Sequence, residues 1–144
     1  DVAYATCKEE VENILADFRN RDIPVAVINE HLQGDLVKFY GVHGTDFFYW
    51  FYPSPCSHSK FGLEKINGIA KGIPFSVEEL KIQSDKAAEA LNVPIYGGDC
   101  VVSADGTLRI IDFNDWPSFA RCREEAGGKI AECIYNRAKK QMKQ

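Results

Sequence analysis

Two aspartates and an asparagine are the residues of this sequence best placed to do chemistry together. Asp99 lies in one β-rich run and Asp112 and Asn114 lie in the next, with Asp105-Gly106 between them. A two-residue Asp-Gly connection between such runs favours a type I′ hairpin. That turn sets Ala104 opposite Thr107, and counting outward places Asp99 opposite Asp112. Opposed residues of an antiparallel pair share a face and faces alternate along each strand, so Asn114 joins them. Like charges directly opposed repel, with Cβ atoms only ~4.5–5.5 Å apart. The repulsion calls for a bound cation, a shared proton, or a nearby lysine or arginine. Magnesium suits the group, since it takes oxygen ligands, often one or two carboxylates plus substrate phosphates. A plainer arrangement is also open, with Asp99 capping the start of a strand and Asp112 facing solvent. Ile110, Ile111, Phe113 and Trp116 nevertheless argue for a partly buried strand end, where an unpaired carboxylate is costly.

Other candidates are weaker. Arg121 and Arg123 follow the hairpin and are in reach of a phosphate or an anionic substrate, or else begin a solvated helix. Asp105-Gly106 is not an EF-hand, because a strand pattern follows it without the calcium loop's glutamate. His31, His43 and His58 are not spaced as a metal set and read as turn or surface residues. The run Phe47-Phe48-Tyr49-Trp50-Phe51-Tyr52 could stack bases, but a strand buried on one or both faces explains it better. No side chain stands out as a nucleophile or general base, so the catalytic residues are unknown at this level.

The elements that must position these residues follow from local pattern. Residues 2–6 are β-prone. Thr6-Cys7-Lys8-Glu9 reads as a capping box, with Thr6 as N-cap and Glu9 reaching back. Val11, Ile14, Leu15 and Phe18 then recur at helical spacing, and Pro24 requires that helix to end near 20–22. Residues 24–32 read as a buried-type strand through Val25, Val27 and Ile28. Gln33-Gly34-Asp35 is a turn, and strands over 36–42 and 46–52, joined at His43-Gly44-Thr45, complete an antiparallel meander. Residues 53–74 read as irregular with one helical turn. Ser76-Val77-Glu78-Glu79 is a second capping box, opening a helix that stops before Pro94. Strands over 94–104 and 107–114 carry the aspartates. A last helix begins around 120–124, weakened by Gly127-Gly128 by about 1 kcal/mol per glycine.

The bulk numbers allow all of this. The chain has 144 residues, 45% hydrophobic and 26% charged, the balance of one ordinary globular domain. A net charge of −4 argues against a nucleic-acid binder, which normally presents a basic face. It does not argue against ATP, whose sites rely on backbone amides and metal. The five cysteines form no CxxC pair and read as reduced, cytoplasmic thiols. No apolar run approaches the ~18 residues of a membrane span.

Asp99, then Asp112-Phe113-Asn114, closed by Trp116-Pro117-Ser118-Phe119, resembles the C-terminal metal motif of ATP-grasp enzymes. A second stretch, Val27-Ile28-Asn29-Glu30-His31-Leu32-Gln33-Gly34-Asp35, resembles the hinge between that family's two lobes. The resemblance implies an α+β fold, an antiparallel sheet with helices packed on it. Residues 1–28 would be the remainder of a first subdomain and 29–144 the C-terminal subdomain with the metal site. It implies that Asp99, Asp112 and Asn114 hold magnesium, with manganese as a substitute, on ATP. The backbone of Glu30, His31 and Leu32 would bind the adenine edge and Asp35 the ribose hydroxyls, and Lys38 would face phosphate or substrate. The implied reaction is ATP-dependent activation of a carboxylate as an acyl phosphate, followed by attack of an amine. Two alternatives are a small-molecule kinase of the same fold and a non-catalytic binding or assembly module. Three departures matter. Gly97 stands where acyl-phosphate formers often carry arginine, Pro117-Ser118 replaces a Pro-Gly turn, and the family's glycine-rich loop and ATP-binding lysines are absent. The chain thus reads as part of a longer protein.

Overall fold

The computed structural model of the chain describes residues 2–53 and 68–143. Its elements run α1 (Lys8–Asn20), β1 (Asp35–Val42), β2 (Phe48–Phe51), α2 (Val77–Leu91), β3 (Ile95–Val102), β4 (Leu108–Asp115) and α3 (Arg123–Gln141). The four strands form one sheet in the order β2-β1-β3-β4, every neighbouring pair antiparallel. The fold is α+β, as the sequence pattern implies. Most of the irregular stretch expected over 53–74 lies outside the described residues, as do Cys56 and His58.

Alternation along the strands divides the sheet into two unlike faces. One face carries Val37, Phe39, Tyr96, Cys100 and Val102, all fully buried, and α2 covers it with Leu80 and Ala88. Helix α2 forms one half of its expected capping box, the Ser76 hydroxyl accepting the Glu79 amide at 3.1 Å, while the Glu79 carboxylate accepts from Gln83 instead of reaching back. It ends at Asn92 in the left-handed region, just before Pro94. A polar clasp ties it to the sheet: the Tyr96 hydroxyl donates to Asp85 at 2.7 Å, and Lys81 donates to the other Asp85 oxygen. Burial and Asp85 both push the Tyr96 hydroxyl well above its ordinary range, so it stays a donor.

The opposite face is covered only in part. Helix α3 and the segment before it pack Phe119, Cys122, Ala126, Ile130 and Cys133 against Val42, Phe47 and Ile95. An ion pair between Lys129 and Asp46 at 2.6 Å pins α3 beside the β1–β2 turn. The other half of this face holds Lys38, Asp99 and Asp112.

The N-terminal third departs from expectation. Helix α1 forms where its periodicity places it, but its N-cap is Cys7, without a side-chain bond. Glu10, one position later than expected, accepts from both the amide and the hydroxyl of Thr6. Neither run expected as a strand beside α1, 2–6 or 24–32, is one. Val25, Val27 and Ile28 are largely exposed, and α1 buries no residue fully. A strand exists only when a neighbour completes its hydrogen bonds, and no such neighbour lies among the described residues. The meander is therefore one hairpin, β1–β2, and the free edge of β1 is taken by β3.

The glycines give a stability test. Nothing lies within 4 Å of a Cβ added at Gly127 or Gly128, whereas at Gly98 it would meet the Asp112 carbonyl oxygen. Gly127→Ala and Gly128→Ala are expected to raise unfolding free energy in urea by about 1 kcal/mol each. Gly98→Ala is expected to lower it by about 1–3 kcal/mol or to prevent folding. A destabilising Gly127→Ala would show that α3 is not the uninterrupted helix described.

Candidate functional site

The hairpin β3–β4 places Asp99 directly opposite Asp112, as expected, but by a different route. The Gly106 amide bonds the Ser103 carbonyl at 2.8 Å and the Ser103 amide bonds Thr107 at 3.0 Å. Gly106 has φ +81. The connection is therefore a three-residue loop, a turn closed by a left-handed glycine, and not the two-residue type I′ turn. That longer loop shifts the register by one, pairing Val102 with Leu108 and Cys100 with Ile110. A β-bulge between Asp99 and Cys100 shifts it back. Ile111 is the extra residue and is 53% exposed. The two offsets cancel, so Asp112 lies beside Asp99 on one face, with Asn114 two residues on.

The neighbouring strands extend this pair into a row. Lys38 is the partner of Asp99 on β1, and Phe51 is the partner of Lys38 on β2. Across the sheet the order is Phe51, Lys38, Asp99, Asp112. The Lys38 ammonium donates to both oxygens of Asp99, at 2.9 and 3.0 Å. The side chains of this pair are only 29% and 22% exposed, so water screens them incompletely. Of the three answers to opposed carboxylates, the described residues supply a nearby lysine. The Asn114 amide donates to Asp112. Asp112 and Asn114 are exposed, and among the described residues their side chains make no other hydrogen bond.

The next row along the face is Tyr49, Tyr40, Gly97, Asn114. A Cβ at Gly97 would fall 2.7 Å from the Tyr40 ring and 2.8 Å from Pro117. The glycine there is thus required by two groups that close over β3. Burial pushes the Tyr40 hydroxyl up, with the charges of Lys38 and Arg121 opposing it, so it is neutral at physiological pH. Beyond the row the chain turns at Trp116, whose φ of 46 is unusual for a bulky side chain, and its amide bonds the Ile95 carbonyl.

The residues expected to form a hinge differ in character. Glu30 and His31 are exposed and Leu32 is half-buried. Glu30 sits 3.8 Å from the Arg109 guanidinium, and His31 packs edge-on against Tyr4. Asp35 is 3% exposed, and its two oxygens accept the amides of Lys71 and Ile73, each at 2.8 Å. It fastens the 71–73 segment to the start of β1. No sequence signal connects Asp35 to a segment so distant in the chain. Phe51 and Tyr40, hidden in aromatic and strand patterns, are likewise site neighbours that only the register brings forward.

The donor set is two carboxylates and one amide. Among the described residues no group of three or more His, Cys, Asp or Glu side chains gathers as a metal cage. Oxygen-only donors fit magnesium, which keeps waters and shares phosphate ligands. Among the described residues no helix is long and apolar enough to cross a membrane. No protein-family model, curated protein or solved structure matches the chain.

Asp35 gives a pH test. Burial raises its carboxyl, but the amides of Lys71, Ile73 and Gly72 and the Lys71 charge outweigh it, and the net shift is below 3.8. A depressed folded value contributes stability above the unfolded value and loses it as pH falls through the folded one. Asp35→Asn keeps one acceptor and loses the other, at a cost of about 1–3 kcal/mol near neutral pH. Urea melts should show that gap intact at pH 6 and closing below about pH 4. A gap independent of pH would mean that the charge on Asp35 plays no part.

Proposed function

We propose that this chain binds ATP with magnesium on the open half of its sheet, as part of an ATP-grasp ligase that activates a carboxylate. The observation that supports this most is the convergence of Asp99, Asp112 and Asn114 on one face, with Lys38 beside them. In this reading the three oxygen-bearing side chains hold the metal, which neutralises phosphate charge. Lys38 already lies against Asp99 and directs a second positive charge to the phosphates. The backbone at Glu30, His31 and Leu32 takes the adenine edge. Asp35, with both oxygens engaged by amides, acts by fixing the start of β1 and not by meeting the ribose.

The reaction itself asks little of the side chains. A carboxylate oxygen attacks the terminal phosphorus and ADP leaves. An amine nitrogen then attacks the acyl carbon and phosphate leaves. Positioning and charge neutralisation carry most of such a reaction, which accords with a site that holds no obvious nucleophile or base.

One observation favours a second reading. Lys38 donates to both Asp99 oxygens, so the chain itself can neutralise this carboxylate, as a non-catalytic binding or assembly module would require. Calorimetry of ATP with and without magnesium, on this chain and on an Asp112→Ala, Asn114→Ala variant, separates the two. The ligase reading expects magnesium to tighten binding by about tenfold or more and the variant to lose that gain. Binding indifferent to magnesium would sink the metal assignment and leave the module.

A further inference from the structure

We propose that Arg121, held over the ring of Phe51, is the anchor for an oxyanion of the second substrate on this same face. The inference rests on reading the Asp99–Asp112 end as the nucleotide site. It starts from the row Phe51, Lys38, Asp99, Asp112. The Arg121 guanidinium carbon lies 4.3 Å from the centroid of the Phe51 ring, so Arg121 continues the row beyond Lys38. Two carboxylates stand at one end and two cations at the other. With strands about 4.8 Å apart, the Phe51 end is about 10 Å from Asp99 along the sheet. That separation suits a ligand group lying beyond metal-bound phosphates.

The two cations differ in what they have left to offer. The Lys38 ammonium is engaged by both oxygens of Asp99. Arg121 makes no ion pair and no hydrogen bond with the described residues. Stacking on a ring occupies the flat face of a guanidinium and leaves its in-plane N–H donors available. Those donors form a planar fork that matches a carboxylate or phosphate with two parallel bonds.

The chain holds Arg121 there by its neighbours. Phe119 packs on Tyr40 and Phe47, with ring centroids 5.4 and 6.3 Å apart. Cys122 is 6% exposed in the same cluster, and its amide bonds the Phe119 carbonyl at 3.0 Å. Arg121 itself stays exposed between these two anchors. Phe51 is braced in turn by Tyr40 and Tyr49, at 5.7 and 5.9 Å. A fixed, unpaired, ring-backed guanidinium beside a nucleotide face is a receptor for a planar oxyanion.

NMR of the arginine Nε–H signals tests this on the whole chain, with Arg121→Lys identifying the Arg121 signal by its disappearance. Sodium acetate, inorganic phosphate and magnesium ATP serve as separate probes. The proposal expects acetate to shift the Arg121 signal while Arg123 stays still, and Arg121→Gln to weaken the acetate response elsewhere on the face by about tenfold. Phe51→Leu, which keeps the charge and removes the platform, should weaken it too. Phosphate moving Arg121 where acetate does not would assign the anchor to a phosphorylated ligand and contradict the planar, carboxylate-type oxyanion expected there. If magnesium ATP perturbs Asp99, Asp112 and Asn114 while neither oxyanion moves Arg121, the anchor fails and the nucleotide reading stands. If acetate moves Arg121 but magnesium ATP perturbs nothing, the nucleotide reading fails and an oxyanion site without it remains.

Discussion

Asp99 and Asp112 occupy directly paired positions on neighbouring strands, and nothing else in the sheet is as unfavourable on its own. Lys38 offsets the repulsion from the third strand by holding both Asp99 oxygens in a half-buried setting. That contact joins β1 to β3, the pairing on which the sheet order depends, because β1 and β3 are the two central strands. Charge compensation and strand order are thus one arrangement. Losing the ammonium would leave two carboxylates side by side on β3 and the edge strand β4.

The rest of the architecture leaves this row open on one side and rigid on the other. Helix α2 closes the opposite face with the Tyr96–Asp85–Lys81 clasp, so the strands beneath the row are fixed. Helix α3 covers only the end near Val42 and Ile95. Tyr40 and Pro117 close over Gly97 and set the boundary between the covered and open halves. The bulge at Asp99/Cys100 then brings Asp112 into the open half. Rigid backing and one polar, accessible surface are what a positioning site needs.

The sheet and its helices were legible because α2, β1, β3, β4 and α3 each bury a face, and burial writes its period into the sequence. The opposition of Asp99 and Asp112 was legible too, though through two errors that cancel. Asp-Gly signals a turn but does not fix its length, and a bulge leaves no compositional mark at Ile111. Residues 24–32 misled for the opposite reason. Val25, Val27 and Ile28 have strand chemistry, but a strand also needs a partner, which local pattern does not carry. The bonds from Asp35 to residues 71 and 73 and the Phe51–Arg121 stack were invisible because each depends on residues far apart in the chain.

The central claim is that a divalent cation carried by ATP settles at Asp99, Asp112 and Asn114. Manganese in place of magnesium broadens amide signals near where it binds, so the most direct measurement is an amide NMR spectrum with ATP and a trace of manganese. The account predicts loss of signal centred on Asp99, Asp112, Asn114 and their neighbour Lys38, reversed by excess magnesium. Broadening centred elsewhere, or none in the presence of ATP, would contradict it.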